Sequence, residues 1–189
     1  MKKTFVLASL IAVSALMISC GSKSNNENTE VTSPIENVEA VEEAVVENPQ
    51  MVAIDEYMAA NNLTAEPNAE GLRIIIKEQG NGPKVEMGKK VKMHYTGKLL
   101  DGKVFDTSVK EVAESAGMYD PRRPYEPLEY IVGEMGLIKG WEQGVMGQAE
   151  GTKLQVVFPS DLGYGAQGVP GLIPANSPLT FEIEIVEVK

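Results

Sequence analysis

Near the C-terminus the run TFEIEI, residues 180–185, alternates apolar and polar side chains without a break. Period two admits one regular conformation, a strand with one dry face and one wet face. One-sided strands of this kind belong to antiparallel sheets, because parallel sheets are covered on both faces. Within residues 179–188, Phe181, Ile183 and Ile185 are expected to point inward, and Thr180, Glu182 and Glu184 outward. Residues 72–76, 90–100, 104–107, 128–132 and 153–158 also read as strands; in the second, Val91, Met93 and Tyr95 oppose Lys92 and His94. Gly80-Asn81-Gly82-Pro83 closes the first, and Asp101-Gly102 is a hairpin signal. Residues 137–147 carry Trp141 and Val145 at helical spacing, so one short helix can cover the dry face. The expected class is α+β, an antiparallel sheet with one amphipathic helix.

The first 70 residues read differently. Residues 1–19 have the make-up of a secretion signal: Lys2 and Lys3, then an apolar run from Phe5 to Ile18 that is short for a membrane span. Cys20 is the only cysteine, which excludes an intramolecular disulfide. The run Leu16-Met17-Ile18-Ser19-Cys20 resembles a bacterial lipobox, with Met17 in place of the usual Leu. That resemblance implies cleavage before Cys20, acylation there, and stable anchoring by two or three chains. Residues 20–50, rich in Ser, Asn, Glu and Val, read as a disordered acidic tether, with a helix conceivable at 37–47. Residues 51–70 form a linker containing a short helix at 52–61, where Ile54, Tyr57 and Met58 share a face. Residues 71–189 are the domain proper.

Composition removes several function classes. The net charge is −10, and losing Lys2 and Lys3 with the signal makes it more negative, so nucleic acid is not an expected partner. One histidine, His94, and one cysteine leave no metal set and no nucleophilic triad; no serine lies in a sharp elbow. The glycines of residues 163–171 lack the Lys-Ser/Thr of a phosphate loop, and Pro174 prevents a helix there. What remains is a group of aromatics, one carboxylate and a rigid Pro/Gly loop, a set suited to binding an apolar ring without covalent chemistry.

The motifs HYTG at 94–97, FD at 105–106, IKGW at 138–141 and YGAQGVPGLIP at 164–174, followed by the closing strand, resemble in spelling and order the FKBP family of peptidyl-prolyl cis-trans isomerases. The resemblance covers residues 71–189. It implies a curved antiparallel sheet wrapped around one short helix. It also implies a cofactor-free isomerase with proline-containing polypeptides as partners. Trp141 would be the floor under the proline ring, with Tyr95, Phe105, Leu137, Ile138, Tyr164, Ile173 and Phe181 as walls. The Tyr164 hydroxyl and the Ile138 N–H would each bind a substrate carbonyl, and Asp106 would sit at the pocket edge beside Tyr95. Leu128, Val169 and Leu172 complete the implied substrate surface; Leu128 replaces a usual aromatic, and Val169 a loop residue that is often His.

An insertion, residues 109–126, departs from the family pattern. It holds a possible helix at 109–118 and a basic spot, Arg122-Arg123, on an acidic chain. It is expected either to border the cleft or to be surface decoration. The whole chain reads as a lipid-anchored, monomeric isomerase of the bacterial cell envelope, on the periplasmic side of the outer membrane. The alternative is a non-enzymatic FKBP-like chaperone or adaptor that holds proline-containing segments.

Overall fold

A computed structural model of the chain describes residues 48–189. The signal-like segment, Cys20 and the tether to residue 47, with its conceivable helix, lie outside the described residues. Six strands are present: β1 (Arg73–Glu78), β2 (Lys90–Leu99), β3 (Val104–Thr107), β4 (Leu128–Ile131), β5 (Lys153–Phe158) and β6 (Leu179–Val188). Three α-helices accompany them, α1 (Pro49–Ala60), α2 (Lys110–Ser115) and α3 (Lys139–Val145), with one short 3-10 turn at Ser160–Leu162. The expected strands and the helix around Trp141 all form, within two residues at most boundaries. In the insertion the helix is confined to Lys110–Ser115, shorter than the 109–118 expected, because Ala116 closes it and Gly117 follows at φ +68°.

Every pairing is antiparallel, in the order β1-β5-β6-β2-β3. On the side of β2 away from β6, β4 pairs with Lys90–Met93 and β3 with Thr96–Lys98. The register shifts within β2 at Lys92/Met93 and again at Gly97/Lys98. Such irregularities bend a strand and raise its twist, which curls the sheet over one side. Into that concave side β5 sends Leu154, Val156 and Phe158, β6 sends Phe181, Ile183 and Ile185, and β2 sends Val91 and Met93, all buried. Helix α3 closes the same core with Trp141 and Val145.

How closely α3 lies on the sheet is set by two residues without side chains. A Cβ on Gly140 would fall 2.6 Å from two ring carbons of Phe158, and one on Gly144 would fall 2.5 Å from Val156. The glycines let the helix backbone rest directly on β5 and carry the Trp141 indole down to the sheet.

The outer face corrects the expectation of a wet surface. Thr180 does point away from the core, but it is only 1% exposed. Helix α1 is docked there, with Ile54 and Met58 packed on Ile75 and Val157. The Tyr57 hydroxyl accepts from Gln155 Nε2 at 3.0 Å, and the same nitrogen donates to Thr180 Oγ1. Asp55 pairs with the buried guanidinium of Arg73. The signal for this cover was in the sequence: Ile74-Ile75-Ile76 and Val156-Val157 put apolar side chains on both faces, as strands covered twice do. Helix α1 also starts earlier than expected, because the Asn48 side chain accepts from the Gln50 N–H and Pro49 occupies the first turn. Pro49 and Gln50 therefore belong to the folded unit and not to the tether.

Gly140→Ala tests the contact of α3 with β5. Helix propensity alone would favour alanine by about 1 kcal/mol. Overpacking against a ring that cannot retreat costs about 1–3 kcal/mol. We expect net destabilisation of up to about 2 kcal/mol, read as a lower denaturant midpoint with an unchanged slope.

Candidate active site

At one end of the concave face a small hollow opens over α3. Strand β2 contributes Tyr95, β3 contributes Phe105 and Asp106, β4 contributes Leu128, and β6 contributes Phe181. Gly136, Leu137 and Ile138 come from the turn that leads into α3, Trp141 from the helix, and Tyr164 from the loop after β5. Its volume is about 140 Å³. Drug-sized ligands occupy pockets of roughly 300–1,000 Å³, so this hollow suits a single small ring.

The aromatic rings hold one another edge to face. Trp141 is 4.9 Å from Tyr95 at 69° and 5.1 Å from Phe181 at 87°. Phe181 meets Phe105 at 5.5 Å and 81°, and stacks on Phe158 at 5.8 Å and 9°. These offset and T-shaped arrangements each stabilise by about 0.5–1.5 kcal/mol beyond burial. The motif glycine, Gly97, makes room for them: a Cβ there would stand 2.6 Å from Phe181 and 2.7 Å from Phe105. Trp141 is 3% exposed, and its Nε1–H has no partner among the described residues. The indole is therefore held by packing alone, and it still faces an open hollow.

Polar groups gather on one rim. The Tyr95 hydroxyl donates to Asp106 Oδ2 at 2.7 Å. Arg123 Nη1 donates to Asp106 Oδ1 at 2.7 Å, and its Nη2 donates to the Tyr95 oxygen at 3.2 Å. Burial, reinforced by the bond to Asp106, pushes the Tyr95 phenol up to about 12. Burial also raises Tyr164, with the Asp106 charge as the second cause. Both phenols thus stay protonated at neutral pH, and the field of Asp106 reaches across the hollow. The Ile138 carbonyl accepts from Trp141 and Glu142 as α3 begins, while the Ile138 N–H finds no acceptor among the described residues.

Nine of the twelve site residues named from sequence line the hollow: Tyr95, Phe105, Asp106, Leu128, Leu137, Ile138, Trp141, Tyr164 and Phe181. Val169, Leu172 and Ile173 do not. Val169 and Ile173 exchange backbone hydrogen bonds of 2.8 Å and close the loop on itself, with Ile173 buried in the core. Leu172 at the tip is 48% exposed. His94 lies away from the hollow, with Nδ1 3.0 Å from Ser108 Oγ, which also accepts from the Tyr95 N–H.

Arg123 is the residue that sequence reading noticed only as a basic spot. The insertion is folded to present it: Tyr119 and Tyr125 stack at 5.5 Å, Arg122 pairs with Asp120 at 2.9 Å, and the Asp120 N–H donates to the Tyr125 hydroxyl. Larger depressions occur elsewhere, such as one of about 320 Å³ between α2 and the outer face, lined by Lys77, His94, Lys153, Glu182 and Glu184. Tyr95 is the one phenyl or indole ring in its lining, whereas the smaller hollow over α3 gathers Tyr95, Phe105, Trp141, Tyr164 and Phe181 and so is better matched to an apolar ring.

Residues 82–186 match the family model described as FKBP-type peptidyl-prolyl cis-trans isomerase. The chain is 39% identical over 124 residues to FK506-binding protein 1A of Neurospora crassa, covering 65% of this chain and 92% of that one. It is 36% identical over 132 residues to the mouse peptidyl-prolyl cis-trans isomerase FKBP2, covering 67% and 85%. Among solved structures, a peptidyl-prolyl cis-trans isomerase of Pseudomonas syringae superposes with a TM-score of 0.57 at 29% identity, covering 75% of this chain and 94% of that one. The family match spans more than half of the sequence and contains every residue of the hollow. This chain belongs to the FKBP-type peptidyl-prolyl cis-trans isomerase family.

Proposed function

We propose that the hollow over Trp141 binds the proline ring of a polypeptide and that the chain is a peptidyl-prolyl cis-trans isomerase acting without covalent chemistry. The observation that carries this reading is a ring-sized hollow with an indole floor, aromatic walls and the Tyr164 phenol at its rim. Resonance keeps the imide planar and its carbonyl strongly dipolar. At the twisted transition state that resonance is lost, so the carbonyl is less polar and the nitrogen becomes a better acceptor. A dry aromatic surface penalises the planar form more than the twisted one. Each ~1.4 kcal/mol of such preference gives about tenfold in rate, against an uncatalysed reaction of roughly 10–100 s.

The remaining groups orient the chain on either side of the proline. The Tyr164 hydroxyl and the Ile138 N–H are donors for flanking substrate carbonyls. Asp106, held on one side by Tyr95 and on the other by Arg123, keeps a fixed negative charge at the mouth. A fixed charge costs no reorganisation when the imide twists.

The proposal extends to place and partners. A lipobox-like run ending in Cys20 and an acidic tether suit a monomer anchored by lipid to the bacterial outer membrane and facing the periplasm. There it would speed folding of envelope proteins limited by X-Pro bonds, with no cofactor and no nucleic acid.

Three measurements test these statements. Residues 26–189 should accelerate isomerisation of an X-Pro peptide, and FK506 should compete; Tyr164→Phe should lose about five- to tenfold in kcat/KM, the worth of one hydrogen bond. A folded chain with no turnover would leave only the adaptor reading. Arg123→Ala should cut kcat/KM about three- to tenfold while changing stability by under ~1 kcal/mol, since its ion pair is exposed; unchanged turnover would remove Arg123 from the site. Cells fed radiolabelled palmitate should label the wild type and not Cys20→Ser, and equal labelling of both would refute anchoring at Cys20.

A further inference from the structure

We propose that Gln50, in the first turn of α1, is a positioning residue for Tyr164, so that the docked helix sets a hydrogen-bond donor of the isomerase hollow. The inference rests on the reading of Tyr164 given above. It begins with how Tyr164 is held. The N–H groups of its two neighbours, Gly163 and Gly165, both donate to one carbonyl, that of Ser160, at 2.8 and 2.9 Å. The peptide units on either side of the tyrosine therefore hang from Ser160. Where Ser160 goes, the phenol follows.

Ser160 is itself 1% exposed, and water does not reach its backbone. Its N–H donates to Gln50 Oε1 at 2.7 Å, across 110 positions of sequence. Its own Oγ is buried without a partner among the described residues and does not take this N–H, which leaves Gln50 as the acceptor the N–H uses. Buried backbone donors are almost always satisfied. With Gln50 removed, the Ser160 N–H would be stranded, and the turn would have to shift to find water. The Ser160 carbonyl, and the two glycine bonds with it, would move too.

The first turn of α1 is well placed to act as a fixed support. Met51 lies against Gly71, where a Cβ would be 2.9 Å from its sulfur and 3.5 Å from Pro159 Cδ, the residue just before Ser160. One turn on, Ile54 is fully buried and Asp55 holds Arg73. The helix is thus fastened at several points, and Gln50 extends that fastening to the loop. The other aromatic residues of the hollow, Tyr95, Phe105, Trp141 and Phe181, sit on β2, β3, α3 and β6 and need no help from α1. The influence of Gln50 should therefore pass through Tyr164 alone.

The test uses the full chain with Gln50→Ala, Gln50→Glu, Tyr164→Phe and the Gln50→Ala/Tyr164→Phe double variant, assayed on one X-Pro peptide and by amide hydrogen exchange. Gln50→Ala should lower kcat/KM about three- to tenfold, and Gln50→Glu, which keeps an acceptor oxygen, should restore most of it. In the Tyr164→Phe background Gln50→Ala should add less than about twofold, the mark of two residues acting as one. Exchange at Ser160, Gly163 and Gly165 should quicken by about tenfold or more while β2 and β6 are unchanged. Unaltered turnover in Gln50→Ala would overturn the proposal. So would an equal loss in the Tyr164→Phe background, or a loss of protection spread across the whole sheet. A wild-type chain without turnover would instead sink the isomerase reading, and the exchange at Ser160 would then still decide whether Gln50 holds this loop.

Discussion

The contact between the Trp141 indole and the concave sheet is the interaction on which the rest of the molecule depends. It requires α3 to lie closer to β5 than side chains normally allow, and Gly140 and Gly144 permit this by presenting bare backbone to Phe158 and Val156. Once there, the indole meets Tyr95 and Phe181 edge on, and Phe181 in turn holds Phe105 and Phe158. Gly97 leaves the space in β2 that these rings fill. A cluster built in this way is rigid, because moving any ring forces the others off their preferred geometry. Rigidity is what a non-covalent isomerase needs, since its only tool is a surface that fits the twisted form better than the flat one.

Around that apolar base the polar groups are few, and each is held by another part of the fold. Asp106 is fixed from inside by Tyr95 and from outside by Arg123 of the insertion. The residues 109–126 therefore do more than decorate the surface: the stacked Tyr119 and Tyr125 and the Asp120–Arg122 pair shape a loop that delivers one guanidinium to the rim. On the opposite side, Tyr164 depends on the Ser160 turn, which is tied to α1. The two added segments, one before the sheet and one within it, thus each reach the site through a single hydrogen-bonding residue.

Much of this was legible before any coordinates. The alternation of β6 and β2 predicted antiparallel strands and the inward positions of Tyr95 and Phe181, because period two leaves no other choice. The helix around Trp141 followed from the spacing of Trp141 and Val145. What escaped was what depends on distant pairing. Arg123 is 17 positions from Asp106, and no local pattern shows that the insertion turns back on β3. By resemblance Ile173 reads as a wall residue and Val169 as part of the substrate surface, yet they pair with each other and close their own loop. The cover on the outer face has its sign in Ile74–Ile76 and Val156–Val157, whereas the alternation of β6 by itself points to a wet face.

By itself the sequence determined the class of fold and marked the aromatic residues that resemble a known family's site. These follow from periodicity and from motifs read along a continuous chain. Only the tertiary structure decided which of the marked residues share one hollow, which carboxylate oxygen meets which donor, and that a helix outside the family pattern holds a loop of the site. Such facts depend on contacts between residues tens of positions apart, and a one-dimensional pattern carries residue types and spacing but not the directions in which folded segments finally face one another.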